Sequence, residues 1–191
     1  MIKLLIISIF ISFQSVAQFT FGVKISGLAL HPQKELNEKN YRWKLDEKGH
    51  LVAFLGVTFT AAYQFNNYLG IKFVQTFMPF DCAGKFSSVT HLGMNLTDRI
   101  VGLKNDVHRG SVSIGPLLYL RKGWTEIVGY KSDLDFITPS KNKKWEHKFV
   151  WYGGQIQYDY YFNTDRALSF NFFPGYPYIY SFGVGETFRI E

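Results

Sequence analysis

The chain predicts an all-β protein, an eight-stranded antiparallel up-and-down transmembrane β-barrel that follows a cleaved signal peptide. Three observations predict it. Long stretches alternate apolar and polar residues with period two, as strands with two unlike faces do. The polar faces are mainly Ser, Thr, Gly, Gln and Asn rather than charged residues. The first seventeen residues have the anatomy of an export signal.

That signal comes first in the chain. Lys3 supplies a positive start, Leu4 to Ile11 form an apolar core interrupted only by Ser8, and Ser15-Val16-Ala17 places small residues where a signal peptidase reads them. The apolar core is far shorter than the roughly 18 residues a spanning helix needs. The expected division is therefore 1–17 signal peptide and 18–191 one barrel domain, with no lipoprotein cysteine after the cut. A mature chain that begins at Gln18 resembles exported proteins of Bacteroidetes-type, Gram-negative bacteria, whose signals often end in Ala-Gln.

Eight strands can be drawn in order. The first, Phe19 to Leu30, sets Phe19, Phe21, Val23 and Ile25 against Thr20, Gly22, Lys24 and Ser26. The second and third, within Leu51 to Phe77, form the clearest hairpin and are joined at Asn66-Asn67, since Asn tolerates positive φ. The fourth, Phe86 to Leu96, opposes Leu92, Met94 and Leu96 to His91, Gly93 and Asn95. In the fifth, Ser111 to Arg121, Pro116 falls on the apolar face and suggests a bulge. The sixth, Glu146 to Phe162, places Val150, Tyr152, Ile156, Tyr158 and Tyr160 opposite Trp151, Gln155, Gln157 and Asp159. The seventh is Ala167 to Phe173 and the eighth Tyr178 to Ile190, with Glu186 outward near an interface.

The connections sort into mostly short inner turns (66–67, 163–165, and a longer stretch 97–109) and outer loops at 31–50, 79–85, 122–145 and 174–177. That asymmetry is the pattern of bacterial outer-membrane barrels. A soluble lipocalin-like barrel alternates equally well, but its wet face would carry many Lys, Glu and Asp. Here most charges sit in loops, so the small polar residues face a narrow lumen and the apolar face meets lipid. Trp43, Trp124 and Trp145 at one end, and Tyr63, Phe65, Tyr68, Tyr160 and Phe162 at the other, suggest two aromatic girdles. In overall pattern the chain resembles the small OmpA/OmpX-type outer-membrane barrels, although it ends Phe188-Arg189-Ile190-Glu191 and not in a terminal aromatic. The resemblance implies localisation in the cell outer membrane.

Function is less legible. Lys24, Lys72, Arg121, Asp159 and Arg189 would share the lumen as a polar network, with Asp159 neutralising Lys72 or Arg189. A porin-like conducting path is disfavoured, because eight strands leave little bore. Catalytic candidates are His91 with Ser87 or Ser88, and His147 beside Glu146, with His50 and His108 further afield. Ser87 and His91 lie about 13 Å apart along one strand, so a dyad would have to form across strands. Asp98, Asp106 and His108 match no ligand spacing, and the lone Cys82 excludes both a disulfide and a cysteine metal cluster. No cofactor or nucleotide motif is present, and no metal or nucleic acid is expected. Lys141, Lys143, Lys144 and Trp145 form an outer-loop basic patch suited to lipopolysaccharide phosphate. The expected protein is a monomeric structural or interaction barrel whose loops 31–50 and 122–145 could meet an extracellular ligand. The alternatives are a lipid A or phospholipid acyl-modifying enzyme and a lipocalin-like binder.

Overall fold

The computed structural model describes residues 18–31, 37–66, 68–99, 107–131, 136–137, 144–175 and 179–190, so the expected signal segment, 1–17, lies outside the described residues. Eight strands follow one another: β1 Gln18–Leu30, β2 Leu51–Gln64, β3 Leu69–Phe80, β4 Phe86–Arg99, β5 His108–Lys122, β6 Trp145–Tyr161, β7 Arg166–Gly175 and β8 Ile179–Ile190. They pair in sequence order into a closed antiparallel barrel, with β1 meeting β8 from Phe19↔Ile190 to Leu30↔Tyr180. Closure gives the backbone its partners without a free sheet edge, the condition for a β-structure in lipid.

The two faces differ as the alternation requires. Ile25, Phe59, Phe73, Leu92, Ile114 and Val184 are exposed on the outside, whereas Lys24, Thr58, Lys72, His91 and Ser113 are buried inside. An apolar belt around a polar-containing interior is stable only against hydrocarbon, and the chain is a transmembrane barrel of the outer-membrane kind. No helix among the described residues is long and apolar enough to cross; the strands do so. Polar groups on the belt are matched locally. Gln75 accepts from Thr90 Oγ1 (2.7 Å) and donates to Ser88 Oγ (2.8 Å). Glu186 pairs with Arg166 at 2.7 Å close to the inner rim.

The short inner turns rest on asparagine. Asn66 Oδ1 accepts the Tyr68 and Leu69 N–H groups (2.9 and 2.8 Å), and Asn163 Oδ1 those of Asp165 and Arg166 (3.0 and 2.7 Å). The side chain stands in for a backbone turn acceptor. The turn spans 65–68, wider than the dipeptide expected, and Asn67 lies outside the described residues. The inner stretch expected at 97–109 is shorter, because β4 runs on to Arg99 and β5 begins at His108.

One strand corrects the sequence reading. The β5–β6 register shifts between Gly115 and Leu117, opposite a bulge that turns both Trp151 (77% exposed) and Tyr152 (72%) outward. Below it the phase is as expected. Above it the phase inverts, so Val150, Lys148 and Glu146 point into the lumen, and Trp151 leaves the polar face. Pro116 lies within that shift, where its missing donor costs the ladder least. Similar shifts occur between Ser26 and Leu28 and between Leu55 and Val57.

The lumen has little slack. A Cβ on Gly185 would strike the backbone of Val23 and Lys24 in the neighbouring strand, which cannot move aside. Gly185→Val is therefore expected to lower the unfolding free energy in detergent by about 1–3 kcal/mol. Tyr152→Leu, on the lipid face, should change it by about 0.5 kcal/mol or less. Urea titration followed by the folded band on unheated gels measures both.

Candidate functional site

Inside the barrel the inner and outer halves have different chemistry. In the inner half, Lys72 Nζ donates to Gln157 Oε1 (2.7 Å), and Gln157 Nε2 donates to Asp159 (2.7 and 2.9 Å to its two oxygens). Ser169 Oγ donates to the same carboxylate, and Ser169 Oγ lies 2.6 Å from Thr187 Oγ1. Lys24 donates to Thr60 Oγ1 at 3.2 Å. Lys72 and Asp159 thus share a lumen height, but an amide carries the link between them. Arg189 stacks on Tyr161, its Cζ 4.4 Å from the ring centroid. A cavity of about 30 Å³ lined by Thr60, Gln64, Lys72, Asn95, Gln157 and Asp159 is large enough for a water or two.

The outer half departs from the polar filling expected of the whole lumen. Val52, Phe54, Val74, Met78, Val89, Leu117 and Phe173 point inward and form a hydrophobic cluster with Tyr41 and Trp124 from the outer loops. Of these, Val52, Phe54, Met78, Val89, Leu117 and Phe173 line an apolar chamber of about 60 Å³ that Asp81 and Cys82 also border. Inward-facing apolar positions are invisible as a class when a strand also carries apolar residues outward, so periodicity alone did not separate them.

The outer loops fold over this chamber as a cap. Its hub is Asp81, 3% exposed, which accepts from Ser87 Oγ (2.5 Å), Trp124 Nε1 (2.7 Å) and the N–H groups of Ala83 (3.0 Å) and Lys85 (2.9 Å). The first and third outer loops are clasped by Asn37, whose Nδ2 donates to Lys131 O (3.1 Å) and whose Oδ1 accepts from Lys131 N (2.9 Å). Trp124 is buried in the cap and does not belong to a girdle. Arg121 and Glu146 form a buried ion pair at 2.8 Å, each also bonded to Tyr130 OH (2.7 and 2.5 Å). The Arg121 guanidinium lies 3.6 Å above the Phe136 ring and 4.8 Å from that of Trp124. The inverted phase of upper β6 delivers Glu146 to Arg121, a partnership the expected register concealed.

The catalytic candidates are dispersed. Ser87 belongs to Asp81, and Ser88 lies on the outward face with Gln75. His147 and Glu146 face opposite sides of β6, and His147 exchanges backbone bonds with Ile137. His50 sits in an outer loop, where its carbonyl accepts from His31 N. His108 contacts Tyr158 OH at 2.7 Å, Asp106 lies outside the described residues, and no metal-ligating group of three exists among those described. His91 does meet a serine across strands, and it is Ser113: Nε2 lies 2.8 Å from Ser113 Oγ and Nδ1 3.1 Å from Pro116 O. Nδ1–H donating to the carbonyl leaves Nε2 to accept the hydroxyl proton, the arrangement of a general-base pair. Both side chains are fully buried, and neither lines either cavity.

On the outer rim the basic patch is partly described. Lys144 Nζ pairs with Glu126 at 3.0 Å, and the ammoniums of Lys144, Lys85 and Lys122 hold that carboxyl below its usual range. Lys122 Nζ sits 5.3 Å from the Trp145 ring, which meets Phe86 edge-on. Lys141 and Lys143 lie outside the described residues.

No family model matches the chain, and no curated protein matches it. Among solved structures it is similar to Ail, the attachment invasion locus protein of Yersinia pestis, in complex with the heparin analogue sucrose octasulfate: 11% identity, TM-score 0.47, covering 91% of this chain and 97% of that one. It is also similar to Neisserial surface protein A (8% identity, TM-score 0.44, 91% and 96% covered). A de novo designed transmembrane β-barrel is comparable (8%, 0.46, 91% and 95%). The likeness concerns barrel architecture, and identities this low do not reach side chains.

Two outcomes follow from these contacts. Asp159→Ala strands Lys72 and Gln157 in the lumen and should cost about 3–5 kcal/mol, the range for breaking a buried charge network. Adding Lys72→Met should recover part of that loss in a double-mutant cycle, with a smaller recovery once Gln157→Leu has cut the link. Ser113, in turn, is expected to stay unlabelled by a fluorophosphonate in the folded barrel, because it is fully buried and lines neither described cavity. Intact-protein mass spectrometry reads the adduct.

Proposed function

We propose that this is an outer-membrane interaction barrel that presents a rigid, basic cap to phosphorylated lipopolysaccharide headgroups, with loops 31–50 and 122–145 supplying the contact surface. One observation carries the reading. Lys85, Lys122 and Lys144 converge on the single carboxylate of Glu126 at the rim, beside Trp145, so the cluster keeps a net positive charge at headgroup height. Exposed lysines are point charges suited to phosphate, and an adjacent indole suits the interface. The Asn37–Lys131 clasp and the Asp81 hub hold the loops in place, so binding need not order them first.

The test compares binding of phosphorylated and dephosphorylated lipopolysaccharide to the wild type and to Lys85→Gln/Lys122→Gln/Lys144→Gln in nanodiscs. At about 1 kcal/mol per lysine near an anionic surface, the triple variant should bind roughly a hundredfold more weakly. Its remaining affinity should fall less steeply with salt. Equal affinity of both proteins, or indifference to phosphate, rejects the reading. The His91–Ser113 contact favours a second reading, acyl chemistry on lipid. An altered lipid A acyl pattern in deletion cells, restored by wild type but not by His91→Ala, would establish it instead.

A further inference from the structure

The inner half of the bore carries more positive charge than its own carboxylates balance. Lys24, Lys72, Arg109 and Arg189 point into it, and Asp159 is the one inward carboxylate described there. Lys24, Lys72 and Arg189 form no ion pair among the described residues. Their contacts are neutral: Thr60 Oγ1 at 3.2 Å, Gln157 Oε1 at 2.7 Å and the Tyr161 ring at 4.4 Å. Asp159 is itself taken up by Gln157 and Ser169. On Arg189 the Nε and Nη2 groups are buried without a hydrogen-bond partner, although together they make the guanidinium edge that grips an anion. Buried charge of one sign is costly unless an opposite charge accompanies it.

The cavity of about 30 Å³ lies among these cations. Lys72 and Arg109 stand on its wall, as do Thr60, to which Lys24 is bonded, and Tyr161, on which Arg189 stacks. Each cation is therefore on the wall or one side chain behind it. Gln18, Gln64 and Tyr161 line the cavity too, and they stand at the inner ends of β1, β2 and β6, so it lies against the inner mouth. Two amides complete the wall. Gln64 Nε2 and Asn95 Nδ2 both donate to Thr97 Oγ1 (2.8 and 2.9 Å), and the oxygens of both amides are buried without a donor.

We infer that this cavity is a halide site, in which one chloride rests on Lys72 and Arg109 as the counter-ion of the inner half. Size selects the occupant. A water needs about 10–15 Å³ of such space, so the cavity offers two water-sized positions. A halide is the anion nearest a water in size, whereas phosphate and carboxylates are too large for either position. The second position belongs to a water, whose two protons satisfy an amide oxygen and the halide together. The charge excess supplies the affinity, because an ion in this poorly hydrated bore meets its cations with little screening. The site is at the opposite end of the barrel from the basic cap, and lysine variants that lose lipopolysaccharide binding leave it standing.

The test unfolds the whole protein with urea in a zwitterionic detergent while sodium chloride replaces sodium gluconate at constant ionic strength. General screening is then fixed, and gluconate is too large for the cavity. An ion that binds the folded barrel alone lowers the unfolding constant by the factor 1 + [Cl⁻]/Kd, so near saturation a tenfold rise in chloride lowers it tenfold. That slope of one is the expected result, with bromide acting in the same way. Crystals grown from bromide should show a bromine anomalous peak in the lumen, in contact with Lys72 Nζ. Lys72→Met should abolish the chloride dependence; should that variant not fold, Arg109→Gln removes the other cation on the wall with the same expected loss. An unfolding constant of the wild type that is indifferent to chloride would overturn the site, as would bromine peaks confined to the protein's surface. So would a chloride dependence that persists undiminished in a folded Lys72→Met or Arg109→Gln barrel.

Discussion

Ladder closure is the constraint on which everything else in this molecule depends. In hydrocarbon an unpaired N–H or carbonyl costs several kcal/mol, so the sheet must meet itself, and β1 does so against β8 from Phe19 to Leu30, with one shift at Gly27. Eight strands then leave a bore only wide enough for side chains. Whatever points inward must find its partners there. The inner half answers with hydrogen bonds that run from Lys72 through Gln157 to Asp159, and the outer half with Val52, Phe54, Met78 and Phe173 in contact.

The cap shows how a polar hub serves an apolar purpose. Asp81 sits at the end of β3 and gathers a β4 serine, a tryptophan from the third outer loop and two backbone amides. A carboxylate with four donors is satisfied without water, so it can be buried over a hydrophobic chamber. Arg121 is treated likewise, with Glu146 and Tyr130 on its edges and Phe136 on its face. These two hubs, and not the chamber's packing alone, fix the outer loops above the barrel mouth.

The outside of this barrel was legible from the chain, and much of the inside was not. Period-two alternation decides which residues share a face, and it placed Ile25, Phe59 and Leu92 outward and Lys24, Lys72 and His91 inward. It fails at a bulge, which adds one residue and inverts the phase beyond it. Trp151 and Tyr152 are both large and aromatic, so nothing in composition marks where the extra residue sits, and Val150 and Trp151 consequently lie on the faces opposite to those expected. Partnerships across the bore depend on strand stagger, which no single strand encodes. Thus Ser87, four residues from His91, serves Asp81, while Ser113 on the next strand meets the imidazole. Gln157 looked like lumen filler because an uncharged amide gives no hint that it will connect two charges.

The lysines of the inner half also bear on how the barrel assembles. Lys24 sits in the middle of β1 and Lys72 three residues past the inner start of β3, so each would enter the bilayer as a bare ammonium if its strand were inserted alone. A charge at the bilayer centre costs at least about 2.5–3.5 kcal/mol, and more on an isolated element. Lys24 meets Thr60 on the neighbouring β2, whereas the partners of Lys72, Gln157 and through it Asp159, come from the distant β6. The Lys72 ammonium therefore meets its partner only once most of the sheet has curled around it. Concerted insertion, with the strands tilting and crossing together, carries that cation inside the nascent bore and avoids the cost of threading β3 alone.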